Sequence, residues 1–486
     1  STIAHLPQFT LNTDIDTKGF RTLYIDSEPL KLDAQGHYRF STLAATIQNT
    51  LHKRLPNLIE AKNIYARADD LQFALSFQDT VLLDRLGMKG VCIPERLHFY
   101  GSMHGNDSLD ITADIPFIKF GKEHLRNSSI RINGTKNDLT ADVTTERLQK
   151  SGFVTVYLKS SAHDNRLRLI AGADNKRKPA YKGEMDITTS FFRDSDGNSS
   201  TRIWIAPTEI LVSDTLWRVH PAIVSLNKQS ATIHGFKIST DKGIRGTTDY
   251  ERGININGTV STNREDTLKV KLHDIDVSYI LDIVNFKSVL FDGYASGTAI
   301  ATGLLANLNA SADITVTDFQ FNKAPLGTLS AHAKWGHTPN FLSLDAVIED
   351  KANNHLSNIA GGFNIGNKEK ENGLDLKIQT KGFNLSFMNF FTEGILEDFH
   401  GRASGYCRIF GPFKGIDLEG DMMINHAFVK LPMLGTEYQL FNDSVRIMPG
   451  EISIVSTLLD KYAIPKNKPL PHENSYKNGN TPHTAS

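Results

Sequence analysis

The sequence predicts an all-β protein: a long, curved, mostly antiparallel repetitive sheet with a few short helices. Three observations predict it. Apolar and polar residues alternate with a period of two through most of the chain. Gly, Asn, Asp and Ser fill the joints between these runs, as in DSDGNSS, INGTKND and IGNKEKENG. These residues tolerate positive φ or bond the turn backbone. The third observation is an internal repeat, described below.

In chain order, the alternation is carried by Val154, Val156 and Leu158 in GFVTVYL and by Ile203 and Ile205 in TRIWIAP. It continues with Leu268, Val270 and Leu272 in TLKVKLHDIDV, Ile314 and Val316 in ADITVTDF, and Leu374, Leu376 and Ile378 in GLDLKIQ. The last instance is Ile452 and Ile454 in GEISIVS. About 25 to 30 strands are expected, most of them with one apolar face. Two segments change period and are expected as short helices: VSYILDIVNF from Val277 and LSFMNFFTEGILED from Leu385. The tail after residue 462 loses its apolar period and is expected to be polar loop or disordered.

Residues 277–328 align with 385–436 without a gap at an offset of 108, with eleven identities in the 52 positions. They include Gly293, Ala295, Ser296, Gly297, Gly327 and their counterparts Gly401, Ala403, Ser404, Gly405, Gly435. Identity at joints with apolar type preserved between them is the mark of a repeated strand scaffold. The six glycines are expected at structural turns. The expected division is an N-terminal part of the repetitive sheet over 1–250, a repeat-bearing part over 251–462, and the tail over 463–486.

Composition narrows the function. The 53 Lys plus Arg balance 54 Asp plus Glu, so no broad basic face for nucleic acid is expected. Cys92 and Cys407 lie in no metal or redox spacing and are expected as packing residues. GRASG places its serine fourth, whereas a nucleophile elbow needs it central, and GYASG repeats the stretch. His98 and His104, and Asp194-Ser195-Asp196, match no metal-ligand pattern. No catalytic residue, metal or cofactor is therefore expected, and the chain is not expected to be an enzyme. An open antiparallel sheet must hide its apolar face under a second sheet, under a helix, or around a greasy ligand. About 28 strands side by side at ~4.8 Å would extend roughly 130 Å, a length suited to spanning a compartment.

The stretch from GFNLSFMNFF through GRASGYCRIFGPFKG to LPMLGTEYQLF resembles the translocation and assembly module subunit TamB, in its Bacteroidetes form. The matching order is a short apolar helix from Leu385 to Phe391, Gly401 with Gly405, Gly411 with Gly420, then Leu434, Gly435 and Tyr438. INGTVSTNREDTLKVKLHDIDVSYI, LKLDAQGHYRF, and Leu55-Pro56 after a polar helix-like stretch match further. The family belongs with AsmA-like bridge-like lipid-transfer proteins. The resemblance implies a sheet folded like a taco, with a groove lined by apolar side chains. It also implies a periplasmic location in a Gram-negative envelope, an inner-membrane anchor outside this chain, and an outer-membrane barrel partner of the TamA/BamA type. The implied work is phospholipid movement for outer-membrane biogenesis, or assembly and secretion of outer-membrane proteins. A structural envelope scaffold is the plainer alternative. Groove residues are then expected at Leu268, Val270, Leu272, Ile314, Val316, Leu374, Leu376, Ile378, Ile452 and Ile454.

Overall fold

The computed structural model describes residues 9–63, 69–78, 90–121, 123–149, 152–175, 180–213, 215–240, 251–277, 290–335, 340–365, 372–387, 389, 397–412, 415–433, 436–449 and 451–455. These form 30 strands, from β1 (Phe9–Ile15) to β30 (Glu451–Val455). Every strand pairing among them is antiparallel, and the protein is nearly all β. One α-helix, α1 (Phe40–Arg54), and one 3-10 turn, Leu385–Phe387, complete the described elements. The helix expected from Val277 lies outside the described residues beyond Val277 itself, and so do the tail and most of the segment after Phe387.

The chain divides into two units, Ser1–Glu251 and Arg252–Ser486. In the first, α1 lies directly before the Leu55-Pro56 pair and is held by polar contacts at both ends. Arg39 N–H, Thr42 Oγ1 and Thr46 Oγ1 donate to the buried Asp69 carboxylate at 2.9, 2.8 and 2.6 Å. That carboxylate satisfies donors at the helix N-terminus, for which α1 has no cap of its own. At the other end the buried Arg54 guanidinium donates to the carbonyls of Asn106 and Asp107 in a hairpin turn. Burial lowers the Arg54 pKa from its ordinary value.

The second unit is a ladder of consecutive hairpins. Its strands are β18 (Arg252–Ser261), β19 (Thr267–Asp276), β20 (Phe291–Thr302), β21 (Asn309–Phe321) and β22 (Ala324–Trp335). Then follow β23 (Phe341–Asp350), β24 (His355–Asn364), β25 (Gly373–Asn384), β26 (Glu397–Pro412) and β27 (Asp417–Leu431). Each pairs with the next. β27 then pairs with both β28 (Thr436–Leu440) and β29 (Asp443–Met448), and β29 with β30.

The glycines expected at turns require a correction. Gly293 and Gly297 lie inside β20, Gly327 inside β22, and Gly401 and Gly405 inside β26; Gly435 lies outside the described residues. The physical reason is close approach across the ladder. A Cβ at Gly297 would stand 2.1 Å from the Asp313 carbonyl oxygen, and one at Gly405 2.4 Å from that of Asp421. Only a residue without a Cβ fits there.

The repeat also has a backbone signature. The register shifts between Leu272 and Ile275 and again between Thr380 and Phe383, 108 residues on. Asp274 (φ 48°) and Gly382 (φ 71°) are the bulged residues. A second pair of bulges is Asp318 (φ 50°) and His426 (φ 49°), again 108 apart. The serines of GYASG and GRASG serve these bulges: Asp274 N–H donates to Ser296 Oγ at 2.9 Å, and Gly382 N–H to Ser404 Oγ at 3.0 Å. Each takes up a backbone donor that the extra residue leaves out of the ladder.

Candidate functional site

Directly opposed residues in an antiparallel sheet share a face, so the register places the expected groove residues. Leu268 continues through Ala301, Ala310, Trp335, Leu342 and Phe363 to Leu374 in a first row. In the second, Val270 continues through Ala299, Ala312, Ala333, Leu344 and Gly361 to Leu376 and Ile409. Leu272 leads the third, through Gly297, Ile314, Ala331, Ala346 and Ile359 to Ile378 and Cys407. The fourth joins Ile275, Ala295, Val316, Leu329 and Ile348. Beyond Gly420 and Ile447 the third row ends at Ile452, and beyond Met422 and Val445 the fourth ends at Ile454. The eight residues whose side chains are described thus share one face, in four adjacent rows, and the register sets Ile452 and Ile454 at the ends of the third and fourth.

From β19 to β26 this face covers about 35 Å across the strands at ~4.8 Å each, and about 20 Å along them. No charged side chain stands in the four rows. Leu268, Val270, Leu272, Ile314, Leu374, Leu376 and Ile378 are half-buried, while Val316 is buried. In a closed sandwich the two inner faces interdigitate into a core; here seven of the eight described side chains keep solvent contact. Sequence reasoning missed the small residues between the expected ones. Ala299, Ala310, Ala312 and Ala333 form the floor of an apolar depression of about 120 Å³ with Val270 and Leu342 at its sides.

The charged residues interleaved with the rows in β19 and β25 stand on the opposite face. Lys269, Lys271 and Lys377 are exposed there. Arg408 forks onto Asp375, with Nε and a terminal nitrogen both at 2.7 Å, and reaches Glu419 at 3.0 Å. The guanidinium holds the Asp375 carboxyl below the usual carboxylate range. In the unit Ser1–Glu251 apolar residues also oppose one another: Leu158 opposes Val143 and Ala171, and Ala171 opposes Met185. Ile203 and Ile205 oppose Val224 and Ala222.

One polar cluster interrupts the fourth row. His355, Ser357 and Thr380 are buried. His355 Nδ1 lies 3.1 Å from the Leu326 carbonyl, Nε2 lies 2.9 Å from Ser357 Oγ, and that oxygen lies 2.5 Å from Thr380 Oγ1. A neutral imidazole satisfies the chain, with Nδ1 donating and Nε2 accepting. Burial lowers the His355 pKa. At 0% exposure Ser357 has no route to a substrate, so the arrangement is structural.

The other sequence candidates are placed as follows. Cys92 and Cys407 are free thiols, and burial pushes the Cys407 thiol up. Asp194 accepts the backbone N–H groups of Asp196 and Asn198 and so closes a turn. His98 stacks on Tyr100. Among the described residues no group of three or more His, Cys, Asp or Glu is arranged to hold a metal ion. Among them, also, no helix is long and apolar enough to cross a membrane. Comparison with protein-family models, curated proteins and solved structures found no match.

Proposed function

We propose that this chain is a non-enzymatic conduit that carries phospholipids, their acyl chains lying on the four apolar rows of the second unit. The observation that carries the reading is the charge-free, mostly half-buried face of four rows that runs from β19 to β26. Burying acyl chain is worth about 0.8 kcal/mol per CH₂. Such a face therefore holds a lipid without specific headgroup contacts. Equivalent rows repeated from strand to strand let it move without a deep minimum. The resemblance to TamB supports the same reading and adds its setting: a periplasmic bridge delivering lipid toward an outer-membrane barrel of the TamA/BamA type.

Val270→Asp and Leu376→Asp test it. Each puts a carboxylate in the second row, whose desolvation opposes acyl contact. Lipid extracted from the purified variants, measured by mass spectrometry, is expected to fall about tenfold or more while the far-ultraviolet spectrum is kept. Wild-type lipid loading in both variants would remove the reading.

A second reading is assembly of outer-membrane proteins by strand addition. It is favoured by β1, which is exposed along its whole length and, among the described residues, pairs on one side only, with β2 (Arg21–Ser27). An open edge pairs readily with an incoming strand. Crosslinks from β1 to unfolded barrel protein, without lipid crosslinks on the rows, would favour this alternative.

A further inference from the structure

The apolar face of the first unit ends in a polar depression of about 430 Å³. It lies between two hairpins that are distant in sequence. β12 (Ala180–Arg193) turns into β13 (Ser199–Ile205), and β16 (Ala222–Leu226) turns into β17 (Ser230–Thr240). β13 pairs with β16, which sets the two turns side by side. Arg193, Ser199, Thr201, Leu226, Asn227 and Lys228 line the depression; Asp194 and Asp196 do not. The Asp194 carboxylate is turned into its own loop, on the backbone of Asp196 and Asn198.

Register fixes what adjoins it. Arg193 opposes Ser199, Phe191 opposes Thr201, and Thr201 opposes Leu226. At period two, these residues share the face of Ile203 and Ile205. Along β13 and β16 that face runs from the buried pair Ile205 and Ala222, through half-buried Ile203 and Val224, to Thr201 and Leu226, and ends at the two cations. From Ile205 to Ser199 the distance is about 20 Å at ~3.3 Å per residue. One leaflet of acyl chain in a ~30 Å hydrocarbon core occupies ~15 Å.

We propose that this depression is a phosphate subsite for the headgroup of a diacyl phospholipid, whose acyl chains lie toward Ile203 and Val224. Arg193 and Lys228 supply charge-assisted donors to the phosphate, and Ser199 and Thr201 supply hydroxyls. The site deepens the conduit reading and rests on it: it gives the lipid an orientation, head at the turn end and tails along the strands. Both cations are exposed, so binding there is weakened by salt. Each methylene that the face buries strengthens binding about fourfold, which separates a lipid from free phosphate.

The test is calorimetric titration of the full chain with three probes: dihexanoyl phosphatidic acid, inorganic phosphate and dihexanoyl glycerol. Phosphatidic acid is expected to bind most tightly, and the double variant Arg193→Gln with Lys228→Gln to weaken it about tenfold. Dihexanoyl glycerol affinity is expected to stay unchanged, as is the thermal melt. Phosphatidic acid affinity within twofold of wild type in the double variant would overturn the subsite. So would inorganic phosphate binding as tightly as the lipid, which would assign the depression to a free anion. Extracted lipid in Leu376→Asp keeps the two proposals distinguishable. Its loss there, with phosphatidic acid affinity untouched by the double variant, leaves the conduit and removes the subsite. The reverse pattern leaves the subsite and removes the conduit from the second unit.

Discussion

The two copies of the repeat keep the same backbone device and fill it differently. In the first, buried Ile275 follows the bulge opposite Ala295, and Ala295 clusters with Phe319, which is 6% exposed and stacked with Phe291 at 6.0 Å. In the second, Phe383 follows the bulge, and Ala427 stands where Phe319 does, in a cluster closed by Leu385, Ala403, Ile424 and Val445. The copies also differ in where the bulge falls. Ile275 belongs to the fourth row, whereas Thr380 already occupies that row and Phe383 lies one row beyond. His355, Ser357 and Thr380 sit at this step, where the apolar fourth row of the first copy ends. The bulge, its serine and the glycine opposite form the repeated unit, and the side chains filling it vary by copy.

The largest expected effect breaks the first copy alone. Phe319→Ala removes a buried aromatic and is expected to cost about 3–4 kcal/mol in urea unfolding. The second copy already has alanine at its counterpart, and a cost below ~1 kcal/mol would mean that Phe319 is not the packing centre. Next come Gly297→Ala and Gly405→Ala. Each drives a Cβ into a facing carbonyl oxygen, and Gly405 also holds φ at 144°. About 2–3 kcal/mol is expected for each; a large difference between them would break the equivalence of the copies. Ser296→Ala and Ser404→Ala leave a bulge N–H without its acceptor, at about 1–2 kcal/mol. Ser296 is expected to cost slightly more, because its hydroxyl also reaches the Asp274 carboxylate at 3.3 Å. Hydrogen exchange at the Asp274 and Gly382 amides reads the same loss directly.

The smallest effect concerns the step between the copies. Desolvation holds the His355 pKa below its ordinary value, so the unfolded chain binds that proton more readily. Its contribution to stability is present above the unfolded value of about 6.5 and is lost as pH falls below it. The slope is no steeper than about 1.4 kcal/mol per pH unit for one site. Unfolding midpoints across this range are expected to fall toward acid in the wild type and to lose that component in His355→Gln.

The sequence shows the strands clearly because period two survives in nearly every one. TLKVKL and GLDLKI announce their inward faces without any knowledge of partners, and the ladder puts Val270 and Leu376 in one row. Bulges are less visible, since one inserted residue shifts the period without a residue type of its own: Asp274, Asp318, His426 and Gly382 share only a positive φ. For the same reason the glycines of GYASG and GRASG look like turns. Their glycine is required by a facing carbonyl that only the register brings close. Ala299, Ala312 and Ala333 carry too little hydrophobicity to mark a floor, which emerges when larger neighbours rise beside them. Arg193 and Lys228 meet only through the pairing of β13 with β16, across two intervening strands.

The central claim, that lipid lies on the apolar rows, is tested most directly by photocrosslinking along β25 in cells. A photoreactive residue is placed in turn at Leu374, Asp375, Leu376, Lys377, Ile378 and Gln379. The account predicts lipid adducts with a period of two, at Leu374, Leu376 and Ile378 and not at the three between. Adducts at all six positions, at none, or at the charged positions alone would contradict it.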